Sequence, residues 1–216
     1  MKNTHKSFLP DNASYGEMAS PVGELIIITS PAGLHAIMWE GDPNSARYIK
    51  SNLCESVKAT LRGTAKTNPR DLIAGSKYCG SHDQVAGIRE LVLKGLPRVS
   101  NEKNLLATKQ QLNEYFQGIR TTFDLPLIMH GTDFQKQVWQ QLLKIPYGQT
   151  ICYSEQATRI GDKNKARAVG MANGCNPIPI IVPCHRVIGK SGHLTGFAGG
   201  VDKKAYLLNL ERSRAK

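Results

Sequence analysis

The chain has 216 residues, enough for one large or two small domains with a full hydrophobic core. With 40% apolar and 21% charged residues, it is neither a disordered acidic chain nor a collagen-like polymer. Its 28 Lys and Arg against 17 Asp and Glu leave a net charge of +11, which favours a polyanionic partner but also describes a basic, soluble surface.

The longest apolar runs, Leu25 to Ile28 and Ile178 to Val182, fall far short of the roughly 20 residues that span a bilayer, so no membrane association is expected. The first twelve residues hold no apolar stretch of the signal-peptide kind, and a cytoplasmic protein is expected, nuclear if the source is eukaryotic. Five cysteines (Cys54, Cys79, Cys152, Cys175, Cys184) without a C-x-x-C pair read as free thiols. Charge is uneven: residues 1–130 carry 15 basic and 12 acidic groups, net +3, whereas residues 131–216 carry 13 and 5, net +8. A polyanion is therefore expected to meet the C-terminal part.

In chain order, residues 24–29 and 33–39 predict a β-hairpin around Ser30-Pro31-Ala32. The stretch from Cys54 to about Asn101 mixes charge, Gly, Pro and Ser and predicts partial helix with a long loop. A helix from about Lys103 to Gln117 places Leu105, Leu112, Tyr115 and Phe116 on one side and ends at Gly118, before a short strand at Phe123 to Leu127. Thr132 or Asp133 caps the next helix, with Phe134, Val138, Leu142 and Leu143 at helical spacing and Pro146 as its stop. Ser154 caps a short helix to Ile160, broken at Gly161, and a further helix starts near Asn164 or Lys165 and ends around Gly174. Those two short helices have the outline of a helix-turn-helix. Small residues at 166, 168, 170 and 172 around Arg167 suit either close packing on a neighbouring helix or entry into a narrow DNA groove. The chain thus reads as two domains, 1–128 (α/β) and 129–216 (mainly α).

Chemistry concentrates in Pro183-Cys184-His185-Arg186. A thiol of ordinary pKa, about 8.5, needs a base or positive surroundings to act as a nucleophile at neutral pH, and His185 and Arg186 are candidates for both. Adjacent side chains diverge on regular elements, so His185 reaches Cys184 only across a tight turn, which Pro183 permits, or through a water. Glu211 on the last helix is the best-placed carboxylate to orient the imidazole. A Cys-His pair is more often a buried thiol beside a satisfied histidine than a catalytic dyad. Cys175, Cys184, His185 and His193 stand nine, one and eight residues apart, which matches no standard zinc module, so no metal is expected.

Arg167-Ala-Val-Gly170, Asn176-Pro177, Ile181-Val-Pro-Cys-His-Arg-Val-Ile-Gly189, Gly192 and Gly196-Phe-Ala-Gly-Gly200 closely resemble the methylated-DNA-protein-cysteine methyltransferases, repair proteins for O6-alkylguanine. The likeness runs from about Asp133 to Glu211, with Phe134, Trp139, Pro146-Tyr147-Gly148 and Tyr153 also in family positions. It implies a ribonuclease-H-like sheet in the N-terminal α/β domain and a winged helix-turn-helix in the C-terminal one. Cys184 would take the alkyl group from O6-methylguanine, and from O4-methylthymine, irreversibly and once per molecule, without a cofactor. His185 would activate Cys184 through a water, Glu211 would orient His185, and Asn176 would hold the turns between recognition helix and active-site loop. Arg167 would fill the base stack and Tyr153 assist rotation of the nucleotide, with Val187, Phe197 and Ala198 lining the pocket. The implied partner is double-stranded DNA bound through the minor groove, to a monomer with no obligate protein partner. Flipping is needed because the target atom lies inside the stack.

Phe197 stands where many members have Tyr, and no zinc-site arrangement or four-cysteine regulatory module is found in the N-terminal part. Two other readings are a non-catalytic lesion-binding protein of the alkyltransferase-like kind, which would lack the acceptor cysteine, and a cysteine hydrolase, which would need an oxyanion hole the sequence does not show.

Overall fold

The computed structural model describes residues 9–39, 96–100, 102–197 and 199–214. Ala198 and residues 54–95 and 101 of the long low-periodicity segment lie outside the described residues.

The hairpin expected at 24–29 and 33–39 forms as β2 (Leu25–Ser30) and β3 (Gly33–Trp39). Sequence reading missed a third strand, β1 (Ser14–Met18), which pairs antiparallel with β2 from Ser14 opposite Thr29 to Met18 opposite Leu25. Its sequence Ser-Tyr-Gly-Glu-Met has no β-branched residue and a central glycine, so the pairing comes from β2 rather than from local propensity. The order is β1-β2-β3, and every residue of β2 and β3 is buried, so neither strand shows the alternation of a half-exposed sheet. Residues 96–100 contribute as well: Tyr15 N–H donates to Pro97 O (3.0 Å) and Val99 N–H to Tyr15 O (2.9 Å), so this piece runs beside β1 rather than as loop or helix.

Helix α1 (Lys103–Phe116) covers the sheet with Leu105, Thr108, Leu112 and Tyr115 buried. Its N-cap is Glu102, whose carboxylate accepts from the amides of Asn104 and Leu105. The strand expected at Phe123 to Leu127 is not formed. The Asp124 backbone exchanges both its hydrogen bonds with the Gln111 side-chain amide (2.8 Å each), and Pro126 has no N–H to give. Only Leu127 bridges Leu34, while Leu34 N–H donates to Pro126 O at 2.8 Å. That crossing is close enough to require glycine at Gly33, where φ is +149° and an added Cβ would run into the Pro126 carbonyl.

The C-terminal part begins with α2 (Asp133–Leu142), capped by Thr132 in a reciprocal capping box with Gln135. It ends at Leu142, before Pro146. Strand β4 (Ile151–Cys152) leads directly into α3 (Tyr153–Arg159). Ser154 is not its cap: the N-cap is Cys152, and the Ser154 hydroxyl lies 3.1 Å from the Cys152 sulfur. After Gly161, a single 3-10 turn (Lys163–Lys165), capped by Asp162, introduces α4 (Ala166–Gly174). A second 3-10 turn (Cys184–Arg186), β5 (Val187–Ile188), which pairs parallel with β4, and α5 (Val201–Arg214) complete the chain.

One buried cluster runs through both parts, from Leu25, Ile27, Ile37 and Trp39 through Tyr115 to Val138, Trp139, Val169, Val182 and Leu207. Backbone and side-chain bonds also join them: Ile37 N–H donates to Pro177 O (2.9 Å) and Tyr115 Oη to Glu211 (2.8 Å). No helix among the described residues is long and apolar enough to cross a membrane.

Candidate active site and nucleic-acid interface

Pro183 directs the chain into the 3-10 turn Cys184–Arg186, the tight turn that the Cys-His pair requires. All three side chains point inward: Cys184 is 7% exposed, His185 0% and Arg186 6%. Burying a histidine and an arginine this way is costly without partners, and Glu211 on α5, itself 0% exposed, supplies them. Its Oε1 accepts from Tyr115 Oη (2.8 Å), His185 Nε2 (2.8 Å) and Arg186 Nη2 (3.0 Å). Its Oε2 accepts from Arg186 Nε (2.9 Å) and the Gly148 amide (3.0 Å). Arg186 also donates to Ile145 O (2.6 Å), and its guanidinium lies 5.7 Å from the Tyr147 ring centre.

Burial alone would push the Glu211 carboxyl up, but the hydrogen bonds and charges of His185 and Arg186 outweigh it and hold the group at about 2. Glu211 is therefore ionised at neutral pH. An ionised carboxylate only accepts, so His185 Nε2 carries the proton and Nδ1 presents its lone pair. That Nδ1 is buried and has no hydrogen-bond partner among the described residues. Burial lowers the His185 pKa despite Glu211, so the ring is neutral and available as a base. The Cys184 thiol is pushed up by burial, while the Asn176 amide and the Lys204 ammonium pull it back down.

Asn176 holds the turn that precedes the cysteine. Its Nδ2 donates to Val182 O (2.7 Å) and its Oδ1 accepts from the Ile178 amide (3.0 Å). Between them Ile180, fully buried, has φ +73°, a left-handed conformation costly for a β-branched residue. The Asn176 clamp and the Val182 N–H to Ile178 O bond (2.9 Å) hold that conformation in place.

Sequence reasoning missed Lys204. It is fully buried on α5, and its Nζ donates to Val187 O (2.6 Å) and Thr195 O (2.8 Å) and lies 5.8 Å from the Tyr153 ring centre. The inward stripe of α5 reads Lys204, Leu207, Leu208, Glu211. This spacing is a helical face with a charge at each end, a pattern that hydrophobicity assigns to solvent. Tyr153 Oη donates to the same Thr195 carbonyl (3.1 Å), so α3 and α5 grip one point of the glycine-rich loop. Val187 is fully buried, and its carbonyl is the one that Lys204 holds.

The small-residue helix α4 divides its surface. Val169, Ala172 and Asn173 face inward, where Ala172 O accepts from Trp139 Nε1 (2.8 Å) and Asn173 pairs with the Gln156 amide (2.7 Å). Gly170 lies against the Tyr153 ring. Arg167 and Met171, one turn apart, are exposed, as are Lys163 and Lys165 in the preceding turn. The structure thus gathers Cys184, His185, Glu211 and Asn176 at one centre, with Tyr153, Val187 and Phe197 joined to it by the loop, and leaves Arg167 on the outer face. Cys175 and His193 are exposed, and among the described residues no three His, Cys, Asp or Glu side chains gather as metal ligands.

The family described as the DNA-binding domain of 6-O-methylguanine DNA methyltransferase matches residues 133–213. The methylated-DNA–protein-cysteine methyltransferase of Mycobacterium tuberculosis is 62% identical over 105 residues, 49% of this chain and 64% of that protein. The constitutive methyltransferase of Bacillus subtilis is 56% identical over 110 residues, 50% and 67% of the two chains. That of Methanosarcina barkeri is 48% identical over 138 residues, 60% and 87%. The match therefore spans slightly less than two thirds of the mycobacterial relative. Among solved structures, M. tuberculosis OGT in complex with DNA superposes with a TM-score of 0.66 at 36% identity, covering 94% of each chain.

Proposed function

The chain belongs to the methylated-DNA–protein-cysteine methyltransferase family, and on that premise we propose that it repairs DNA by moving the alkyl group of O6-methylguanine onto its own Cys184. The observation that carries this reading is the buried Cys184 turn backed by the His185–Glu211 pair, with the lone pair of His185 Nδ1 unengaged among the described residues. In the reaction the Cys184 proton passes to His185 Nδ1, through a water. The sulfur then attacks the alkyl carbon, forming an S–C bond while the C–O6 bond breaks. The released electron pair goes to the purine, which takes up one proton from solvent and stays in the strand as guanine. Glu211 stabilises the imidazolium that forms, and Arg186 keeps Glu211 ionised. The product is a thioether without a good leaving group, so each molecule acts once. O4-methylthymine offers the same alkyl-oxygen chemistry.

Helices α3 and α4 act as the helix-turn-helix, with β4, β5 and the following loop as its wing. Lys163, Lys165 and Arg167 meet the phosphates and the minor groove. Arg167 fills the space of the extruded nucleotide, Tyr153 assists its rotation, and Phe197, Val187 and Ala198 line the pocket. The N-terminal sheet and α1 make the ribonuclease-H-like portion, residues 1–128, and residues 129–216 the acceptor domain of an intracellular monomer.

The test is incubation with duplex DNA carrying radiolabelled O6-methylguanine. Label should saturate at no more than one methyl per chain, on the peptide holding Cys184, and Cys184→Ala should abolish transfer while sparing DNA binding. Multiple turnovers with released label, or tight lesion binding without transfer, would refute the assignment. Arg167→Ala should impair repair of duplex more than reaction with a free O6-alkylguanine base, and equal loss on both would remove Arg167 from the wedge role.

A further inference from the structure

Trp39 closes strand β3 in the N-terminal sheet and is 2% exposed, and its ring also packs on the C-terminal part. Its ring meets that of Phe197 edge to face, with centroids 5.5 Å apart. The loop backbone lies on the same indole: a Cβ added at Gly199 would come within 3.0 Å of Trp39 Cε3 and 3.1 Å of Phe197 Cε1, so a larger residue there would crowd both rings. Gly200 N–H closes the turn on Phe197 O (3.0 Å).

The indole N–H of Trp39 is buried and has no hydrogen-bond partner among the described residues. A buried tryptophan usually finds one, and a donor left unpaired costs stability. Here the ring packs by shape against the loop. At its other end the loop is fixed by polar contacts, where Tyr153 Oη and Lys204 Nζ both hold Thr195 O. Phe197 thus has a fixed hinge on one side and a wall, Trp39, on the other.

We propose that Trp39 is a specificity-determining positioning residue: by blocking retreat of Phe197, it limits the size of the alkyl group that Cys184 can accept. The inference rests on the proposed alkyl transfer and assigns the N-terminal sheet a part in selecting its substrate. Among the described residues, the hydrogen bonds that hold the Cys184 turn and the His185–Glu211 pair do not involve Trp39, so its removal acts on pocket shape and leaves those bonds in place.

The experiment compares single-turnover rates on duplexes containing O6-methylguanine and O6-benzylguanine. Trp39→Leu should raise the benzyl-to-methyl rate ratio by about tenfold, the scale on which a change of pocket size alters discrimination. Trp39→Phe, a smaller but still aromatic wall, should give an intermediate rise and carries the test if the leucine variant does not fold. Phe197→Leu should raise the ratio on its own, and adding Trp39→Leu to it should change little, because one wall acts through the other. A folded Trp39 variant whose two rates fall together, at unchanged ratio, would overturn the inference and leave the proposed function standing. Wild-type protein that transfers neither group would overturn both.

Discussion

Replacing Glu211 by Gln tests the centre of the site most directly, because it keeps the shape and removes the charge. The carboxylate accepts five hydrogen bonds, three at Oε1 and two at Oε2. An amide oxygen can replace only one of those oxygens. In its better orientation it serves Tyr115, His185 and Arg186 Nη2, while its NH2 group confronts two donors, Arg186 Nε and the Gly148 amide. Two donors are then unsatisfied, at about 1–3 kcal/mol each. The guanidinium of Arg186, only 6% exposed, also loses its counter-charge, and breaking a buried pair from one side costs about 3–5 kcal/mol. These costs overlap, so about 3–5 kcal/mol is the expected total, a large share of the roughly 5–15 kcal/mol that stabilises a domain. For a chain of this length each kcal/mol is worth about 2–4 °C, so Tm should fall by about 6–20 °C in a calorimetric scan. Alkyl transfer to a free base should fall as well, since His185 loses the group that fixes its tautomer. A variant that melts within about 2 °C of wild type and reacts at the same rate would refute the buried-network argument.

Lys204→Met removes a buried cation that favours the Cys184 thiolate, so the pH–rate profile for a free-base substrate should move to higher pH, with the loss at pH 7 partly recovered in alkali; a uniform loss at all pH values would leave Lys204 with only its loop contacts. Asn176→Ala releases the turn that holds Ile180 at positive φ and should cost about 1–3 kcal/mol by urea unfolding, with slower transfer, whereas unchanged stability would mean that neighbouring packing alone holds the turn. Acid should destabilise the protein in two windows. Burial, with His130 next to it, lowers His35 to about 4, and burial lowers His130 and His185 as well, so the unfolded chain binds more protons than the native one and stability falls as pH drops from about 6.5 towards 4. Glu211, ordinarily near 4.5 and held at about 2, adds a second loss between those values. Urea midpoints against pH should show both, and His35→Asn should flatten the first; a flat profile from pH 6.5 to 4 in wild type would contradict the burial of these rings.

Much of the C-terminal part was legible because its signals are local. Thr132, Gly161, Pro183 and the helical spacing of Val138 and Leu142 are fixed by capping, backbone freedom and side-chain periodicity, which need no distant partner. Where the local signal was ambiguous, the structure decided otherwise: Ser154 was read as a cap but its hydroxyl bonds a sulfur, and Phe123 to Leu127 was read as a strand but its backbone is satisfied by Gln111. Strand β1 was invisible for the complementary reason, since its pairing is dictated by β2 across the turn.

Taken by itself, the sequence pointed to Cys184 as the candidate nucleophile, to His185 beside it and to the two-helix unit that carries Arg167, because each is written in a short stretch whose spacing has a chemical meaning. It also pointed to Glu211, although not to why a carboxylate is affordable there. That answer is tertiary: donors from residues 115, 148, 185 and 186 converge on one buried carboxylate, and only folding brings them within 3.0 Å of it. Lys204 and Trp39 are tertiary in the same sense. A lysine on a helix reads as solvent-exposed until two carbonyls close over it, and a tryptophan at a strand end reads as core until the residue it faces proves to be Phe197.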